Sequence, residues 1–298
     1  MITPITLQNG DIIGIVSTAR KISKEELQPG LQILKSWGLK AVFGKTIGAE
    51  ENQFAGSDDL RAADFQQMLD DPKIKAIWCA KGGYGTVRIL DKLDFSSFKK
   101  NPKWIIGYSD VTALHSHINT LGVETLHAQT LENLEKKTPE TAESIRKVLF
   151  GENYSVEIER ADSFASPEIV KGELVGGNLS VLYSLCGSAS DMNTDGKILF
   201  IEDLDEMLYH VDRMMMNLNR NGYLKNLKAL IIGGMTEMKD NKVYFGKTAE
   251  EIIIDLVKEY NYPIITNFPT GHISDNRALI MGRKVELKIA NDKITLGF

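Results

Sequence analysis

The chain has 298 residues, 43% apolar and 25% charged, the balance of a soluble protein with one large or two ordinary domains and a core needing neither disulfides nor metals. Its net charge of −5 comes from interspersed acids and bases with no basic stripe, which argues against a nucleic-acid partner. No run approaches the roughly 18 apolar residues of a membrane span, and the start MITPITLQNGD lacks a signal peptide's regions, so no membrane partner and a cytoplasmic location are expected.

In chain order, Asp11 to Val16 reads as a buried strand ending at Ser17-Thr18-Ala19. Lys24 to Trp37 has helical spacing at Leu27, Leu31, Leu34 and Trp37, weakened by Pro29 and Gly30. Leu39 to Phe43 is the next strand. Ser57 is a plausible N-cap for a helix reaching Leu69, which Asp71-Pro72 ends. Lys75 to Ala80 is a strand followed by Lys81-Gly82-Gly83-Tyr84-Gly85, and Thr86 to Leu93 reads as helix. Lys103 to Ile106 is a strand leading to Gly107-Tyr108-Ser109-Asp110; Val111 to Leu121 is helical, and Glu124 to His127 starts another strand. This alternation predicts a mostly parallel sheet covered on both faces, as far as about residue 150.

Residues 152–167 are polar and read as an irregular linker, dividing the chain into 1–152 and 168–298. Beyond it, Lys171 to Val175 is a strand, followed by Gly176-Gly177-Asn178 and then a helix to Leu185. Lys197 to Ile201 is a buried strand ending at Glu202-Asp203. Tyr209 to Leu224 is a helix, Ala229 to Ile232 a strand, Ala249 to Glu259 a helix, and Ile264 to Asn267 a strand before Gly271-His272. The tail from Ala278 to Phe298 alternates apolar and polar residues around Asn291-Asp292, the pattern of a terminal antiparallel hairpin.

In open α/β sheets, ligands bind beyond the carboxyl ends of strands. Those ends supply a glycine-rich turn at 82–85, Ser109, Glu202 and His272: backbone donors, a hydroxyl, a carboxylate and an imidazole, the parts of an acyl-transfer site. Each has a plainer reading. Ser109 or Asp110 could simply cap the following helix, the glycines could form only a tight turn, and Glu202 and His272 could be loop residues. Gly-Tyr-Ser-Asp also lacks the second glycine of the G-x-S-x-G elbow. His115 and His117, two apart on one helix, chelate a metal poorly. His127 could line the site or pack in the core, and His210 belongs to a methionine-rich helix at the surface or an interface. Cys79 and Cys186 lie in apolar runs and read as small buried hydrophobes, with a disulfide between them as the lesser alternative and neither in a metal spacing.

Five blocks in order, AIWCAKGGYGTVRILDKLDF, IIGYSDVTALHSHINTLG, VGGNLSVLYSLCGS, ILFIEDLDEMLYHVDRMMMNL and FPTGH, resemble the LD-carboxypeptidase family of serine peptidases (peptidase family S66) over nearly the whole chain. That family includes murein tetrapeptide carboxypeptidases and microcin C self-immunity hydrolases. The resemblance implies a flavodoxin-like α/β N-terminal domain carrying Ser109 and a β-rich mixed C-terminal domain carrying Glu202 and His272 as a Ser-Glu-His triad. It implies an oxyanion hole from the N–H groups of Asp110 and Gly83, substrate contacts from Lys81 and Tyr84, and a homodimer with its site between the domains. The expected substrate is a small murein-derived peptide losing its terminal D-alanine, with no metal or cofactor. Cleavage of an aminoacyl or peptidyl nucleotide and a catalytically silent binder are the alternatives. Lys81 stands where family members usually carry arginine, and Ser17-Thr18-Ala19 where a Pro-Ser-Ser-like turn is frequent, so substrate identity is the least constrained part of the reading.

Overall fold

The computed structural model describes residues 1–160 and 167–298. The first half alternates strands and helices: β1 (Ile12–Val16), α1 (Gln28–Ser36), β2 (Lys40–Phe43), α2 (Asp58–Asp70), β3 (Ile74–Cys79), α3 (Ser96–Lys100), β4 (Trp104–Gly107), α4 (Thr112–Thr120), β5 (Thr125–His127) and α5 (Pro139–Phe150). The second half holds β6 (Ser155–Glu159), β7 (Glu168–Asn178), α6 (Leu179–Leu185), β8 (Ile198–Leu204), α7 (Leu208–Arg220), β9 (Ala229–Thr236), α8 (Ala249–Val257), β10 (Ile264–Ile265), β11 (Leu279–Met281), β12 (Lys284–Ile289) and β13 (Lys293–Gly297).

The first sheet has the order β11-β5-β4-β3-β1-β2, with β2, β1, β3, β4 and β5 mutually parallel. That is the flavodoxin-like strand order, whose topological switch falls between β1 and β3. Its strands are apolar on both faces because helices cover both. Ile13, Ile15, Trp78, Trp104 and Ile106 pack towards α1 and α5, while Val16, Ile77 and Ile105 pack towards α2, α3 and α4. Local chemistry fixes the helix ends. Ser57 Oγ accepts from Leu60 N at 3.2 Å to start α2, and α5 runs from a Thr138 cap and Pro139 to Gly151 in the left-handed conformation.

The second sheet has the order β10-β9-β8-β7-β12-β13-β6. Strands β10, β9, β8 and β7 are parallel, while β12, β13 and β6 add antiparallel. Helices α6, α7 and α8 cover one face, and Met214 and Met215 are core residues there. Phe200, Ile231 and Phe268 pack on the other face with Leu279 and Met281 of β11.

Three expectations change. Residues 86–93 form two short 3₁₀ turns, 86–88 and 90–92, instead of one helix; Val87, Leu90 and Leu93, three apart, suit either winding. The stretch read as an irregular linker contains β6, whose alternating Val156 and Ile158 pair with β13; residues 161–166 of that stretch lie outside the described residues. The terminal hairpin exists as β12–β13, but Leu279–Met281 crosses to pair antiparallel with β5 of the first sheet. Chain from the second half therefore completes the first sheet.

The two sheets meet near the ends of their parallel strands. Thr112, the first residue of α4, accepts a hydrogen bond on Oγ1 from Asn178 N at 3.0 Å. Gly177 permits this approach: its φ is +143°, and a Cβ there would lie 2.6 Å from Thr112 Oγ1.

Candidate active site

Ser109 lies two residues past the end of β4, after Tyr108. Its φ of +61° is left-handed, a conformation that costs a non-glycine residue roughly 1–2 kcal/mol. Such strain is retained where the surrounding structure fixes it. Here the turn is tied down on several sides. Gly107 O accepts from Ala128 N at 2.9 Å and contacts His115 Nε2 at 2.8 Å. The Asp110 carboxylate accepts from Thr86 N at 2.8 Å, and burial pushes it above the usual carboxylate range. The N–H groups of Gly83 and Asp110 donate to no described residue and remain available to an anion.

The neighbouring glycine turn has its own anchor. Arg61 is buried, donating from Nη1 to Thr18 O at 2.6 Å and Gly85 O at 2.9 Å. It thereby joins the loops that follow β1 and β3. Ser109 lies against this turn, since a Cβ on Gly82 would come within 3.4 Å of its Oγ.

Glu202 ends the apolar run of β8 and is fully buried. Its Oε2 accepts from His272 N at 3.2 Å and lies 2.6 Å from His272 Nδ1. Burial alone would lower the His272 pKa, but the Glu202 charge and hydrogen bond outweigh it, and the imidazole sits above its ordinary 6.5. The loop carrying His272 is held by Asn276, whose Oδ1 accepts from Gly271 N at 2.8 Å. The Tyr108 ring packs against His272 with centroids 4.6 Å apart.

Ser109 and His272 line one cavity of about 460 Å³. Among the described residues no hydrogen bond joins Ser109 Oγ to His272. The arrangement brings a hydroxyl on a strained turn, two unused backbone donors and a carboxylate-held imidazole to the same space, with His272 Nε2 left for proton transfer.

Lys81 lines this cavity, but its Nζ pairs with Glu132 at 2.8 Å and Glu26 at 3.8 Å. Tyr84 does not line it; the ring is 50% exposed and leans on Phe54, because the turn directs it outward. His127 lies fully buried behind the cavity, against Tyr108 and Phe200. His117 Nδ1 contacts Ser190 Oγ at 2.9 Å, and His210 Nδ1 contacts Glu206 at 2.6 Å. Cys79 and Cys186 are free thiols, and burial pushes Cys79 up to about 12.

Sequence reasoning missed Arg20, Gln129, Asn178, Asp203 and Glu206 on the cavity wall. The signal for Asn178 and Asp203 was present, since both adjoin singled-out residues at strand ends. They bond each other, Asn178 Nδ2 donating to Asp203 Oδ1 at 2.9 Å, and burial followed by the Glu202 charge raises Asp203 to about 7. Arg20 carried no local signal.

The family models for the LD-carboxypeptidase N-terminal and C-terminal domains match residues 13–128 and 171–287. A probable murein peptide carboxypeptidase of Bacillus subtilis is 35% identical, covering 96% of this chain and 92% of its own length. The microcin C7 self-immunity protein of Escherichia coli is 26% identical over 96% of this chain and 93% of its own. The crystal structure of muramoyltetrapeptide carboxypeptidase from Oxalobacter formigenes superposes with a TM-score of 0.87 at 27% identity, covering 96% of this chain and 98% of that one. A microcin C7 self-immunity protein in complex with aspartyl sulfamoyl adenosine gives 0.89 at 25% identity, covering 100% and 99%. With both domain models matched in order over most of its length, the chain belongs to the LD-carboxypeptidase family.

Proposed function

We propose that this protein is a serine carboxypeptidase that hydrolyses the L,D amide bond of murein-derived tetrapeptides and releases the terminal D-alanine. The observation that carries the reading is the 2.6 Å contact of His272 Nδ1 with buried Glu202, on the cavity that Ser109 also lines. Residues 1–152 supply the nucleophile and residues 168–298 the base and its carboxylate. Substrate entry draws His272 Nε2 and Ser109 Oγ together, as catalytic hydrogen bonds often tighten only in the complex.

Ser109 Oγ then attacks the scissile carbonyl carbon while His272 Nε2 takes its proton. The Nδ1–H donated to Glu202 fixes the tautomer, and the carboxylate stabilises the imidazolium. The carbonyl oxygen becomes an oxyanion received by the N–H groups of Gly83 and Asp110. The C–N bond breaks as His272 returns the proton to the departing D-alanine amine. Water repeats the sequence on the acyl-enzyme, restoring Ser109 and freeing the tripeptide acid. The same reading has the enzyme act as a cytoplasmic homodimer on recycled wall peptides, which sedimentation and cell fractionation test.

A second reading, hydrolysis of an aminoacyl or peptidyl nucleotide by the same residues, is supported by the likeness to the microcin C7 self-immunity protein bound to aspartyl sulfamoyl adenosine. The test is to assay a murein tetrapeptide and an aminoacyl sulfamoyl adenosine side by side with wild type and Ser109→Ala. Release of D-alanine by wild type alone is expected. Faster turnover of the nucleotide favours the second reading, and undiminished turnover in Ser109→Ala removes the serine mechanism.

A further inference from the structure

The cavity is lined by several charged side chains, and nearly all are already engaged. Lys81 pairs with Glu132 at 2.8 Å, and Asp205 pairs with Lys239. Glu206 lies 2.6 Å from His210 Nδ1, and His272 lies 2.6 Å from Glu202. Asp203 accepts from Asn178 Nδ2 at 2.9 Å and Ser180 N at 2.8 Å. Arg20 differs. Its backbone is pinned, with Arg20 O accepting from Ser17 Oγ at 2.5 Å and the residue bridged to Phe54. Its guanidinium meets no ionic or hydrogen-bond partner among the described residues.

The position of that guanidinium matters as much as its freedom. The Arg20 side chain lies along Gly83: a Cβ there would come within 2.5 Å of Arg20 Cδ and 2.6 Å of Nε. Gly83 is a proposed donor to the scissile oxygen. In a substrate cut at its last amide, the terminal carboxylate carbon lies only three bonds from the scissile carbonyl carbon, a reach of roughly 3.5 Å from standard backbone dimensions. A cation beside the oxyanion donors is therefore at the distance a terminal carboxylate requires. A guanidinium also offers two parallel N–H donors to the two carboxylate oxygens, which an ammonium cannot.

We propose that Arg20 receives the terminal carboxylate of the substrate and so restricts the enzyme to the last residue of a chain. This rests on the carboxypeptidase reading above and adds the residue that makes it an exopeptidase. The contact then comes from the loop after β1 and not from Lys81, whose charge Glu132 already meets.

The test compares a murein tetrapeptide ending in D-alanine with the same peptide ending in D-alanine amide, using wild type, Arg20→Ala and Arg20→Lys. Wild type is expected to prefer the free acid. Arg20→Ala should raise KM for the acid on the order of 10–100-fold, the effect of losing a charge-assisted pair, while turnover of the amide stays unchanged. Arg20→Lys should recover part of the preference. Equal labelling of Ser109 by a fluorophosphonate in all three proteins shows that the site is intact. If Arg20→Ala keeps the wild-type preference for the acid, or if wild type has none, the inference falls and the functional reading stands. If wild type hydrolyses neither peptide, the functional reading falls and takes the inference with it.

Discussion

His272 Nδ1 lies 2.6 Å from Glu202 Oε2, and this contact joins a loop before β11 to the end of β8. It sets both the tautomer and the proton affinity of the imidazole. A base must be neutral to accept the Ser109 proton, and its pKa is raised above 6.5. The kcat/KM profile should therefore climb with pH through a value above 6.5, activity being lost on the acid side. In Glu202→Gln that limb should move to lower pH, and kcat should fall about 10³–10⁴-fold, as when the acid of a serine triad becomes an amide. Steady-state kinetics from pH 5 to 9 check both.

The same contact depends on Gly271. Its φ is +110°, and a Cβ would lie 2.7 Å from Glu202 Oε2 and 2.8 Å from Glu202 Cβ. Gly271→Ala is expected to cost about 1–3 kcal/mol in urea unfolding through backbone strain. Because it displaces the imidazole from its carboxylate, kcat should fall about 100-fold. A fully active, less stable variant would contradict the close approach.

Ser109 holds a left-handed conformation at φ +61°. Glycine adopts that conformation freely, whereas alanine keeps the strain. Ser109→Gly should therefore be about 1 kcal/mol more stable than Ser109→Ala, with both inactive. Denaturant midpoints of the two variants measure this.

Arg61 donates to Thr18 O and Gly85 O from a buried position. Arg61→Ala leaves two carbonyls without their donor and should cost about 3 kcal/mol. The loosened glycine turn should lower kcat as well, because Gly83 belongs to that turn. Thermal melting read beside turnover tests both effects.

Much of the site was legible because its residues follow buried apolar runs. KWII, KILFI and IITN each read as strands, and Ser109, Glu202 and His272 come after those apolar runs, Glu202 still within β8 and Ser109 and His272 beyond their strands. Parallel sheets place such ends together, so the cavity could be anticipated from pattern. What failed involved partners distant in sequence. Leu279–Met281 alternates like a hairpin strand, yet pairs with β5 because burial against that sheet decides, not local pattern. Tyr84 sits in the glycine-rich block, but its direction depends on the turn. Arg20 lies in no motif; its place beside Gly83 arises only when β1 and β3 are adjacent. Lys81 looked available until Glu132 came within 2.8 Å.

The central claim is that Ser109 carries an acyl group between two proton transfers by His272. Mixing enzyme with murein tetrapeptide, quenching within one turnover and mapping the adduct by mass spectrometry tests it most directly. The expected result is the tetrapeptide less D-alanine attached to Ser109, absent from Ser109→Ala. D-Alanine release that continues in Ser109→Ala, or an adduct on another residue, would contradict it.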